Sequence, residues 1–189
     1  MYLTKHQANQ ELKKIMRDFL DSYKSIGIQS RDNYIKTLAP GSPLPKEGII
    51  YGEYGKELFS DKCREYRNKA HQIVDFHLNE TKRKETEAPS TEAVNSITLL
   101  KLRDDVTEKD ISDLLDRYGE NPQAYRAINS VAREHKILSF GDHPISQSRE
   151  NLETLSASID KAISPGNEHI SDGFVSIFDM TIDSAFPEE

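Results

Sequence analysis

The chain has 189 residues, 35% hydrophobic and 30% charged, with a formal net charge of −7 and one cysteine, Cys63. That length holds one ordinary domain or two small ones, and the polar balance suits extended helices, a thin core, or a core completed by a partner. A lone cysteine excludes an intramolecular disulfide framework. No apolar run approaches the ~20 residues of a membrane span, and "MYLTKHQANQELKK" lacks a signal-peptide apolar region, so we expect a cytoplasmic protein with no membrane partner.

The charge is unevenly spread. Residues 1–84 carry 16 Lys+Arg against 11 Asp+Glu, a surplus of +5, whereas residues 85–189 carry 9 against 21, which is −12. The sign turns over inside "TKRKETEAPSTEAVN" (residues 81–95). This predicts a seam between two parts able to attract each other within a chain or between chains.

In chain order, Thr4 followed by Gln7 forms a capping-box pattern that opens a helix to about Ile26. Leu12, Met16, Phe19, Tyr23 and Ile26 mark its apolar stripe, widened by Ile15 and Leu20. Gly27 is the expected stop, and "SRDNYIKTLA" a further short helix. The Pro/Gly-rich stretch 39–55 reads as a surface connector with a short strand at Ile49–Tyr51. It has no Gly-Lys-Ser/Thr, so it is not a phosphate loop. A second long helix is expected over Lys56–Lys84, with Phe59, Cys63, Tyr66, Ala70, Ile73 and His77 on its seam. The matching seams predict an antiparallel, coiled-coil-like hairpin.

Beyond a linker at 85–92 the chain reads as a bundle of short helices. The first spans 91–103. Thr107 caps the next, with Ile111, Leu114, Leu115 and Tyr118 on its core face and Gly119 as its stop. Asn121-Pro122 opens another, with Tyr125, Ile128, Val131 and Ala132 inward. After "SFGDHPISQS" a last helix carries Leu152, Leu155, Ile159 and Ile163. The acidic tail 166–189 contains "GFVSIFDMTIDSAF", where Phe178, Met180 and Ile182 alternate with Asp179, Thr181 and Asp183 in a strand-like pattern. The fold class expected is therefore mainly α, with at most short β elements near 49–51 and 174–182. The domains expected are a basic hairpin (1–84), a linker (85–92), an acidic bundle (93–165) and the tail (166–189).

Residue patterns that carry chemistry are sparse. His71, Asp75 and Asn79 share a helix face, but a metal needs at least three convergent donors, and a solvated face explains them. "GDHP" (141–144) places an acid and a histidine on a loop, where adjacent residues point apart and Pro144 fits a plain turn. No catalytic residue, metal or cofactor is assigned, and the chain is expected to be non-enzymatic. Phe174, Val175, Ile177, Phe178 and Met180 form a candidate anchor for a protein partner or a second copy. The alternative is a nucleic-acid-associated regulator or packaging factor contacting through Lys62, Arg64, Arg67 and Lys69 of the basic helix. Across "DRYGENPQAYRAI", which has a helix-turn-helix layout, it would also use Arg126 and Arg133, with Gln123 and Ser130 beside them. The −12 second half disfavours that reading, because phosphate attraction dominates affinity for DNA.

The segment "LLKLRDDVTEKDISDLLDRYGENPQAYRAINSVAREH" (99–135) resembles segments of uncharacterised helical proteins encoded by tailed phages and prophages of Gram-positive bacteria. The resemblance covers about a fifth of the chain and brings no functional residue with it. It implies a structural or virion-assembly accessory that associates with itself or docks on a larger assembly, in the host cytoplasm or the virion.

Overall fold

The structure is a computed structural model and describes residues 3–137, 140–166 and 170–187. Positions 167–169, 188 and 189 of the expected tail, and Ser139 of the expected loop, lie outside the described residues. Among the described residues the fold is mainly α: helices α1 (Lys5–Ile35), α2 (Gly52–Glu85), α3 (Thr91–Lys101), α4 (Glu108–Tyr118), α5 (Pro122–Glu134), α6 (Pro144–Ala162) and α7 (Asp172–Ala185), with no strand.

The chain divides into two compact units. One combines Met1–Phe76 with Asn151–Glu189; the other is His77–Glu150. α2 and α6 each contribute to both. The change of charge at 81–95 is therefore not where the units part. Glu85 ends α2, Thr91 begins α3, and both belong to the second unit.

In the first unit, α1 starts as its sequence dictates. The Gln7 amide donates to Thr4 Oγ1 and the Thr4 amide to the Gln7 side chain. Leu12, Ile15, Met16, Phe19, Leu20, Tyr23 and Ile26 are all buried. The helix does not stop at Gly27, which has no positive φ to end it. Instead Ser30 Oγ donates to Gly27 O at 3.1 Å, and the turn runs on to Ile35. Along α2 the buried hydrophobic residues are Phe59, Cys63, Ala70 and Val74. A heptad would favour Ile73, but a straight helix of 3.6 residues per turn drifts from that repeat and buries Val74 instead. Tyr23 packs on Phe59 (5.4 Å) and Phe19 on Tyr66 (5.7 Å), in opposite order along the two helices.

The second unit is a local three-helix core. Ile97 and Leu100 of α3, Ile111 of α4, and Ile128, Val131 and Ala132 of α5 are buried together, with Leu114, Leu115, Tyr118 and Ile137 packed against them. Each helix carries its own start signal: Ser90 caps α3, Thr107 and Asp110 form a capping box for α4, and Asn121 with Pro122 opens α5. α5 ends with Lys136 at φ 57, while the Ile137 amide reaches back to Ala132 O at 2.9 Å, a left-handed cap.

Neither expected β element forms. The Tyr51 amide donates to Ser30 Oγ, not to another strand. Residues 174–182 are helical: Val175, Phe178, Ile182 and Ala185 recur every three or four residues and are all buried, which a period of two cannot achieve. Ser171 caps this helix by accepting from the Phe174 amide.

Candidate functional site

α7 has three distinct edges. The first is the buried stripe just described. The second is acidic and meets α1. Lys13 bonds Asp183 at 2.5 Å, Arg17 lies 3.7 Å from Asp179, and Lys24 lies 3.0 Å from Asp172. Steps of four and seven up α1 match steps of four and seven down α7, so the two helices run antiparallel with their charges in register. Asn9 ties the end, donating to Asp183 Oδ1 at 2.8 Å and to Phe186 O at 3.0 Å. The Lys13 ammonium and the Asn9 amide hold the Asp183 carboxyl below its ordinary range. Counted by unit, the charge asymmetry disappears. The first unit holds 14 Lys+Arg against 18 Asp+Glu and the second 11 against 14, so they carry −4 and −3.

The third edge of α7 is Gly173, Ile177, Met180, Thr181 and Ser184, without a charge. Ile177 and Met180 are 68% and 69% exposed. The expected anchor is thus divided. Val175 and Phe178 are core, Phe174 is half-buried, and only Ile177 and Met180 face outward. The physical reason is the helical period, which sends 175 and 178 to one side and 177 and 180 to the other.

The basic residues are largely engaged by neighbours. Lys62 and Lys69 share Glu65 at 2.6 and 2.7 Å. Their hydrogen bonds draw the Glu65 carboxyl down to about 2. Arg64 bonds Asp61 at 2.7 Å. Arg67 lies beside Cys63, whose thiol burial pushes up to about 11 against the opposing pull of that guanidinium. A buried thiol of this kind is poorly reactive. In the α4–α5 pair, Gln123 Nε2 donates to Glu85 O at 2.9 Å, Ser130 Oγ donates to Glu134, and Arg126 is tied to the Glu85 carboxylate. Arg133 is exposed.

Glu85 is the polar centre of the second unit, and nothing in its sequence context marked it. Its side chain is 6% exposed and held by Arg126, by Arg149 at 2.8 Å and by the Ser146 hydroxyl at 3.0 Å. Burial alone would raise this carboxyl. The Ser146 hydroxyl and the two guanidiniums outweigh it and hold the group below its usual range. Three helices (α2, α5 and α6) meet on one carboxylate.

His71 has a connectivity that resembles a catalytic relay: Nε2 lies 3.0 Å from Asp160 Oδ1, and Nδ1 lies 3.4 Å from Ser156 Oγ. Ser156 sits mid-helix in α6, where the surrounding amides bond within the helix. The amides of its own helix are thereby engaged and are not set as an N–H pair for an oxyanion. Asp75 and Asn79 are exposed. Among the described residues no group of three or more His, Cys, Asp or Glu side chains is placed to hold a metal ion. His143 of "GDHP" braces a loop. Its Nδ1 accepts from the Ile145 amide at 3.1 Å, so Nε2 carries the proton donated to Gly119 O. Asn129 clamps Phe140 through both its backbone groups.

Among the described residues no helix is long and apolar enough to cross a membrane. Comparison with family models, curated proteins and solved structures finds no match to this chain.

Proposed function

We propose that the protein is a non-enzymatic interaction protein that pairs with a second copy of itself through the uncharged edge of α7 and works within a larger assembly. The observation that carries this reading is the symmetry of that edge. Ile177 and Met180 flank the point midway between Phe178 and Asp179, and Gly173 and Ser184 lie equally far from it on either side. A two-fold axis through that point brings Ile177 of one copy against Met180 of the other, with Gly173 against Ser184 at the ends. Such self-complementarity is what a closed dimer contact requires. The acidic residues of α7 would not repel across the axis, because α1 already engages them.

A helix of 14 residues is about 21 Å long. One edge of it buries less than the ~1,200–2,000 Å² of a stable interface. The pairing is therefore weak in isolation and strengthens when copies are held side by side. That suits an accessory of a multi-copy assembly, and the resemblance of residues 99–135 to phage-encoded helical segments makes a virion or its precursor the first assembly to test.

Light scattering after size exclusion tests the reading over a wide range of loading concentration. The expected mass rises above the monomer's 21.5 kDa as concentration increases, and Ile177→Glu with Met180→Glu holds it at the monomer. A wild-type mass that stays monomeric throughout, or a variant that associates equally well, overturns it.

A further inference from the structure

We propose that the first unit contains a binding site for a small, uncharged aromatic or branched apolar molecule, in the cavity between the α1–α2 loop and the start of α2. The cavity is about 380 Å³ and is walled by Tyr23, Ile49, Ile50, Phe59, Ser60 and Pro165. That volume lies in the range of small-molecule sites, which are mostly apolar with a few convergent polar groups.

The loop over it, residues 36–51, is longer than most connectors, and long ordered loops are commonly functional. It is fastened at several points. Tyr23 Oη donates to Gly48 O at 2.7 Å, and Arg31 Nε to Pro45 O at 3.2 Å. The Tyr51 amide donates to Ser30 Oγ at 3.1 Å, Tyr51 Oη donates to Lys46 O, and the Tyr51 ring stacks on Tyr34 at 4.9 Å. Gly48 and Gly52 take φ values of 76 and 72 on either side of Ile49–Tyr51. This left-handed backbone is open to glycine and turns the two isoleucines over the cavity. Fastening a wall in advance lowers the ordering cost of binding.

Lys56 and Glu57 also line the cavity, and both are exposed. Their opposite charges cancel in sum, so the site favours neither an anion nor a cation. Ser60 supplies the hydroxyl that a single polar group on the ligand can meet.

Indole is a suitable probe, because the chain has no Trp and indole fluorescence excited beyond the tyrosine band reports on the ligand alone. Titration into the full chain is expected to give saturable binding. Ser60→Phe, which fills the cavity, and Ile49→Asp, which makes one half-open wall polar, are each expected to weaken it by roughly tenfold or more. Circular dichroism verifies that each variant is folded, and Ile49 is exposed enough to change without unfolding the unit. Absence of saturable binding to the wild type, or wild-type affinity in both variants, overturns the proposal. Indole-3-acetate binding as tightly as indole would overturn the preference for an uncharged ligand. The site does not involve α7, so either result leaves the self-association reading standing.

Discussion

The two units solve the same problem by different means. The second is one continuous stretch of chain whose short helices each carry a cap and bury a compact stripe. The first is closed by a helix that returns from far along the sequence: Lys13 and Asp183 are 170 residues apart. Local signals suffice for the one. The other depends on a match between two distant surfaces, apolar stripe to apolar stripe and basic edge to acidic edge. Their polar contacts differ as well. Glu85 is buried and shared by two arginines, whereas the α1–α7 ion pairs are exposed to water on at least one side.

If burial rather than charge closes the first unit, Phe178→Ala has the largest effect, about 3–5 kcal/mol of stability lost in urea unfolding. Removing residues 166–189 altogether takes Phe178, Ile182 and Phe186 out of the core and is expected to loosen the unit rather than give a clean monomer. Next comes Glu85→Ala, which leaves two guanidiniums without their carboxylate. Breaking a fully buried pair costs about 3–5 kcal/mol. Arg126 and Arg149 are 47% and 34% exposed, so about 2–3 kcal/mol is expected.

The same group sets a pH dependence. Glu85 has a depressed carboxyl in the fold. Its stabilising contribution is thus present above the unfolded carboxylate pKa and is lost as the pH falls through the lower, folded value. Acid titration of stability should fall less steeply in Glu85→Gln than in the wild type, and equal slopes would remove Glu85 from the account.

Smaller effects separate the rungs of the α1–α7 ladder. Asp183→Asn is expected to cost up to about 1 kcal/mol and Asp172→Asn close to nothing, since the latter pair is open to water on both sides. High salt should erase the difference. One change of similar size is a gain. Lys136→Gly relieves a left-handed backbone at the end of α5 and should stabilise the second unit by about 0.5–1 kcal/mol, read as a rise in its urea midpoint.

Much of the second unit was legible in the sequence. Thr107, Asn121-Pro122 and the Ile111 and Ile128 stripes each state their element within a few residues. The stripe of α1 was equally plain. What escaped was non-local. Gly27 looked like a stop, but no left-handed turn forms there. Alternating apolar and polar residues in 178–183 imitated a strand, because Asp179 and Asp183 line the α1-facing edge of a helix while the apolar residues divide between two others. The charge reversal at 81–95 looked like a seam between parts, whereas the acidic tail returns to the basic α1 and leaves both units nearly equal in charge. Glu85 sat among solvated charges in the sequence, and only the fold brings Arg126, Ser146 and Arg149 to it. Of the residues expected as an anchor, Ile177 and Met180 are outward and Val175 and Phe178 are buried, a division that could be drawn only once the period was known to be helical.

α7 docks on α1 of its own chain. Zero-length carbodiimide cross-linking of an equal mixture of ¹⁴N- and ¹⁵N-labelled protein, followed by peptide mass spectrometry, tests it most directly. Lys13–Asp183 and Lys24–Asp172 amides whose two peptides carry the same isotope are expected. Absence of these links, or mixed-isotope links at the frequency of random pairing between chains, would contradict it.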